Sequence, residues 1–102
     1  MPELVTFYPG ARSYGRVVFT RSDYETDSVA TTTATLTLVD PEGTEVTSVT
    51  PTLTNTTSTV QVDWEYTLPT SAVPGVWTAA VQTATALIAH DESTFRVLRA
   101  VG

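Results

Sequence analysis

The ten residues Thr59-Val60-Gln61-Val62-Asp63-Trp64-Glu65-Tyr66-Thr67-Leu68 alternate without a break. Val60, Val62, Trp64, Tyr66 and Leu68 fall on one side, and Thr59, Gln61, Asp63, Glu65 and Thr67 on the other. Successive strand side chains point to opposite faces, so a period of two marks a strand with one face in a core and one in water. A helix would scatter the same apolar side chains around its axis. The pattern commits the chain to packing a sheet against something apolar.

At 102 residues the chain is one domain, spanning 1–102. Such a length buries roughly 65% of its unfolded surface, enough for a core without staples. There is no cysteine, hence no disulfide framework and no thiolate metal site. Nothing in the sequence implies a cofactor. No apolar run reaches the roughly 18 residues that a membrane-spanning helix needs, and Met1-Pro2-Glu3-Leu4 shows no signal-peptide pattern. The expectation is therefore a protein without membrane insertion, which leaves a cell, if at all, by lysis or in a larger particle.

The net charge is −6, with five Arg and no Lys. Direct binding to nucleic acid is not expected, because phosphates call for clustered cations. Roughly a fifth of the residues are Thr, well above ordinary usage. An acidic, Lys-free, Thr-rich surface suits high salt, where a screening length of about 3 Å weakens repulsion between carboxylates. Codon bias toward Arg in a GC-rich genome explains the missing Lys equally well, and the two readings coexist.

Along the chain, Leu4–Tyr8 reads as a short strand closed by Pro9-Gly10. Tyr14–Arg21 follows, then Thr31–Val39 with Ala34, Leu36 and Leu38 inward. Asp40-Pro41-Glu42-Gly43 is a tight turn leading into a fourth strand over Thr44–Val49. Pro51–Thr57 is an edge or loop, since Pro51 removes a ladder donor. After Thr59–Leu68 and the Pro74-Gly75 turn, Val76–Thr83 places Trp77, Ala79 and Val81 inward. Ala84–Glu92 reads as a loop, and Thr94–Leu98 closes the sheet with Phe95 and Val97 inward. The sum is a seven-stranded antiparallel immunoglobulin-like β-sandwich.

Chemistry-bearing residues do not converge. His90 is the only histidine, so a metal site lacks its further nitrogen or sulfur ligands. With Asp91 and Glu92 it reads as a solvated loop, and no nucleophile motif accompanies it. Asp23, Glu25 and Asp27 offer oxygen ligands but lack the Gly and distal Glu of an EF-hand loop. Asp63 and Glu65 share the outer face of their strand, a flat solvated face by expectation. Asn55-Thr56-Thr57 matches a glycosylation acceptor, a frequent coincidence in a Thr-rich chain. Trp64 and Trp77 keep the inward register and read as core. Leu87-Ile88 spends apolar residues in a loop, which is either tucked under the sheet or presented to a partner.

Several segments together resemble a known type of protein. Phe7-Tyr8-Pro9-Gly10, Val17-Val18-Phe19-Thr20, Leu36 to Thr44 with its Asp40-Pro41-Glu42-Gly43 turn, Pro74-Gly75-Val76-Trp77-Thr78 and Ser93-Thr94-Phe95-Arg96-Val97 follow one order. That order resembles small immunoglobulin-like structural proteins encoded among the head and tail genes of tailed viruses. Related punctuation occurs in bacterial adhesion modules and macroglobulin-like domains. The Thr31–Thr33 run and the apolar Ala84–Ala89 loop depart from the pattern and leave the place in a virion open.

The resemblance implies a non-enzymatic virion protein made in the host cytoplasm, and it carries over no catalytic residues. With the Lys-free acidic composition it suggests a salt-loving host, such as a haloarchaeon. A capsid-surface decoration protein is the first expectation, with a head–tail connector or tail component as the alternative. Its partners would be other virion proteins in a multi-copy assembly. The contact candidates are Phe7, Tyr8, Tyr14, Tyr24, Leu87, Ile88 and Val101. A different class, an adhesion or glycan-binding module, would use exposed aromatics beside polar groups, as Tyr24 among its carboxylates weakly does.

Overall fold

The structure, a computed structural model, describes residues 5–21, 28–84 and 87–99. The described residues form strands β1 (Val5–Phe7), β2 (Arg12–Thr20), β3 (Thr33–Val39), β4 (Glu45–Val46), β5 (Thr52–Asn55), β6 (Thr59–Thr67), β7 (Gly75–Ala84) and β8 (His90–Val97). They build two sheets, in the orders β1-β8-β7-β3-β4 and β2-β6-β5. The architecture is all-β, as the alternation demands.

Two differences from the seven-stranded antiparallel expectation stand out. The eighth strand is β5, which pairs with β6 from Thr52↔Asp63 to Asn55↔Val60. Pro51 precedes it, so its missing N–H costs no ladder bond, and the stretch lies at a sheet edge. The other difference is β1, which pairs with β8 in parallel, Val5↔Phe95 to Phe7↔Val97. All other pairs are antiparallel.

The β3–β4 hairpin forms around the expected turn. Asp40 Oδ1 accepts hydrogen bonds from the Glu42 and Thr44 N–H groups at 2.9 Å each. Gly43 takes a φ of 85°, a conformation that costs little without a Cβ. The expected loop Ala84–Glu92 is shorter than its sequence suggests. His90, Asp91 and Glu92 already pair with Gln82, Val81 and Ala80. Because β1 covers only Phe95 to Val97, the first half of β8 has no described neighbour on its other side. That exposure is why a polar triplet sits in a strand.

The core lies between the sheets. Val60, Val62, Trp64 and Leu68 face Leu36, Leu38, Trp77, Ala79, Val81, Phe95 and Val97, all buried. Each large aliphatic side chain so placed contributes about 1.5–3 kcal/mol of transfer free energy. Tyr66 stays half-buried at the end of its row. Phe95 is the aromatic hub, with ring centroids 5.6 Å from Phe7, 5.8 Å from Trp64 and 5.9 Å from Trp77. The buried hydroxyls of Ser13 and Thr83 are paired: Ser13 Oγ donates to the Tyr66 carbonyl at 2.7 Å, and Thr83 Oγ1 accepts from Ala89 N–H at 2.7 Å. Among the described residues no helix is long and apolar enough to cross a membrane.

Candidate interaction surface

The flank where β1 meets β2 carries much of the exposed apolar surface. Val5, Tyr8 and Tyr14 are each more than half exposed. Phe7 and Val5 share one side of β1, but Phe7 lies over the core and Val5 at its rim. Phe7 is thus a core residue, which corrects its place among the contact candidates. Its role at the flank is indirect, since its ring meets Tyr14 edge-on at 5.4 Å. Tyr24 and Val101 lie outside the described residues, as do Asp23, Glu25 and Asp27.

At the far end, the β7–β8 connection divides its two apolar residues. Leu87 is half-buried against the core, and its N–H donates to Thr32 Oγ1 at 3.2 Å. Ile88 is 78% exposed. Leu87 thus follows the tucked-in reading of this loop, while Ile88 is exposed.

The outer face of β6 is not flat. A cleft of about 490 Å³ is lined by Val5, Tyr14, Gly15, Arg16, Asp63, Trp64 and Glu65. A second, of about 430 Å³, is lined by Thr50, Thr52, Asp63, Trp64 and Glu65. The second cleft has a local cause: β5 ends its pairing at Thr52↔Asp63, so β6 from Trp64 onward overhangs it. In the first, Gly15 stands opposite Trp64, and the place of its missing side chain is taken by the indole. Sequence reasoning missed Gly15 and Arg16 as lining residues, although an isolated Gly inside a strand pattern is the usual sign of a close approach.

Charge on this face is internally matched. Arg16 Nε donates to Asp63 Oδ1 at 2.6 Å, and Gln61 Nε2 donates to Asp63 Oδ2 at 2.9 Å. Arg12 Nη1 lies 3.6 Å from Glu65 Oε2. The hydrogen bond from Arg16, helped by that from Gln61, holds the Asp63 carboxyl below its ordinary 3.8. A carboxylate held ionised in this way is a poor general acid. Its lowered folded pKa adds stability above the unfolded value, and that stability is lost as pH falls through the folded value. In acid titrations between pH 5 and 2, Asp63→Asn should therefore flatten the loss of stability while costing about 0.5 kcal/mol at pH 7, the scale of an exposed pair. An unchanged acid profile would show that the Arg16 contact contributes nothing.

His90 stands at the exposed start of β8, Nδ1 3.1 Å from Gln82 Oε1 and Nε2 3.2 Å from Glu92 Oε1. Among the described residues no three His, Cys, Asp or Glu side chains group as metal ligands would. Asn55 Nδ2 donates to the carbonyls of Ala30 and Thr32 at 3.2 and 3.0 Å, so the amide of the glycosylation tripeptide is already engaged.

Fold and surface together define an all-β sandwich module with an apolar flank and a shallow polar cleft. The sequence matches no protein-family model and no curated protein. Among solved structures the chain is similar to a family 123 glycoside hydrolase from Clostridium perfringens, reported in work on glycolipid glycan hydrolysis. The TM-score is 0.60 at 14% identity, covering 98% of this chain and 24% of that one. The chain thus spans about a quarter of that enzyme's length, and a likeness at this identity concerns the fold alone.

Proposed function

We propose that the chain is a non-enzymatic virion protein of a tailed virus, a capsid-surface component held by its loops and its β1–β2 flank. The observation that carries this reading is the exposure of Val5, Tyr8 and Tyr14, each more than half exposed on β1, β2 and the turn between them, with Val5 and Tyr14 lining one cleft and Ile88 exposed at the β7–β8 connection. Surface apolar groups grouped in this way serve contact with partners. The ordered turn and strand motifs that resemble head and tail proteins supply the biological setting. The acidic, Lys-free surface fits assembly in concentrated salt. Stable contacts of this kind bury at least about 1,000 Å².

Mass spectrometry of purified virions tests the reading: the chain should appear as a stoichiometric component, and its absence from the particle overturns it. Ile88→Asp and Tyr8→Ser should each lower incorporation, since neither side chain belongs to the core. Normal incorporation of both would remove those residues from the contact surface. A connector or tail position in place of the capsid surface would show as a low copy number.

A glycan-binding module is the second reading, and the cleft favours it. Tyr14 offers an aromatic face beside Arg16, Asp63 and Glu65, and the fold likeness is to part of an enzyme that acts on glycans. Titration of the isolated protein with oligosaccharides should then show binding that Tyr14→Ala abolishes. Binding unaffected by Tyr14→Ala, or no binding at all, would exclude the cleft.

A further inference from the structure

Among the described residues β2 presents a long edge with no strand paired to it. Four strands end the two sheets: β4 and β1 in one, β2 and β5 in the other. β4 has 2 residues and β1 has 3. β5 has 4, starts after Pro51, and Asn55 ties it to the carbonyls of Ala30 and Thr32. These are the usual ways of blunting an edge. β2 has 9 residues, no Pro and no Lys, and it runs against β6 from Arg12↔Thr67 to Thr20↔Thr59 without a bulge.

The direction of its backbone groups follows from the ladder. The Ala11 carbonyl accepts from Leu68 N–H, and Arg21 N–H donates to the Ser58 carbonyl, both at 2.9 Å. These two contacts continue the β2–β6 register at either end. In an antiparallel pair each residue turns its N–H and C=O to the same side, alternately toward and away from the partner. Ser13, Gly15, Val17 and Phe19 therefore face β6. Arg12, Tyr14, Arg16, Val18 and Thr20 turn theirs to the open side, where no described strand pairs with them.

We infer that this edge pairs with the same edge of a second copy, β2 against β2 in antiparallel, joining two three-stranded sheets into one of six. The outer row is self-complementary about Arg16. In that register Tyr14 lies opposite Val18 of the second copy and Val18 opposite its Tyr14. Two side chains that are 61% and 53% exposed in the monomer cover one another, an aromatic against a β-branched residue. Arg12 meets Thr20. The two copies of Arg16 meet on the axis, each already neutralised by its own Asp63 at 2.6 Å. The Tyr14 ring turns from Phe7 toward the partner, at the cost of one edge-on contact. Main-chain bonds supply the affinity in such strand addition, and the alternate side chains set the register. The inference holds for the isolated protein and is independent of any role in a virion.

The experiment is sedimentation equilibrium from about 1 μM to about 1 mM, a range that brackets ordinary weak and moderate self-association. It is joined to residue-resolved amide exchange at both ends of the range. Twice the 11.0 kDa chain mass is expected at high concentration. The amides of Tyr14, Arg16 and Val18 should slow by about tenfold or more, while those of Ser13, Gly15 and Val17 are protected throughout. Val18→Pro removes a donor on the open side and no β6 bond, so it should remain folded and monomeric. Val18→Glu, which leaves the backbone intact, should weaken pairing by at least about tenfold. A monomer over the whole range overturns the inference. So does a dimer that survives both substitutions, or one that leaves the alternate amides unprotected.

Discussion

Trp77→Ala should cost about 4 kcal/mol, within the range for removing a buried Trp. Trp77 is buried, stacks on Phe95 at 29° between ring planes, and donates from Nε1 to the Val73 carbonyl at 2.8 Å. Its loss opens the space between β7, β8 and β6 and frees that carbonyl. With a total stability of about 5–15 kcal/mol for a domain of this size, the variant should be only partly folded at 37 °C. Urea denaturation measures it. A loss below about 1.5 kcal/mol would mean that the neighbours of Phe95 collapse into the space. The conservative pair sharpens the test. Trp77→Phe gives up a hydrogen bond, whereas Trp64 Nε1 is buried with no partner among the described residues, so Trp64→Phe gives up none of those described. The first should cost about 1 kcal/mol more than the second, the net worth of such a bond.

Gly15→Ala should cost about 2 kcal/mol, although Ala is ordinarily the better strand residue. A Cβ at Gly15 would lie 2.5, 2.7 and 2.8 Å from Nε1, Cε2 and Cζ2 of Trp64. These are atoms of a rigid ring held in the core, and they cannot give way as the tip of a flexible chain would. The indole instead covers the bare glycine of the edge strand from across the ladder, an aromatic cover of a strand glycine. A melting temperature lowered by about 10 °C is expected on the usual scaling. An unchanged midpoint would mean that Trp64 can tilt away at no cost. Trp64→Leu in the Gly15→Ala background should then recover part of the loss, because it removes the clashing ring, and this coupling is readable by a double-mutant cycle.

The strands were legible because burial on one face writes itself as a period of two. Val60, Val62 and Trp64, and likewise Trp77, Ala79 and Val81, are inward as their alternation requires. The turn at Asp40-Pro41-Glu42-Gly43 was equally plain, since its side-chain bonds and positive φ are local matters. The inward side of Phe7 is not legible in the sequence, because it sits in three residues of strand, too short for a period to declare itself. His90, Asp91 and Glu92 looked like a loop because a half-covered strand tolerates charge, and which half is covered depends on the length of β1.

The candidate surface was less legible. Tyr8, Tyr14 and Ile88 are exposed as expected, but the outer face of β6 was expected to be flat and carries two clefts. The first is lined by Val5 of β1 together with β2 and β6, and the second follows from β5 stopping at Thr52↔Asp63. Both depend on how strands lie together, so no local pattern announces them.

Residue order alone therefore determined an all-β chain, its inward rows and its hairpin turn, because these depend on alternation and on local backbone preference. Tertiary structure decided which strands lie side by side, and hence which edges are open. β2 and β6 are read alike from their own residues, yet among the described residues β6 is central and β2 has no strand on its other side. Strand order is a property of long-range pairing, set by how the two sheets share a core, and it is this order that exposes the alternate amides of β2.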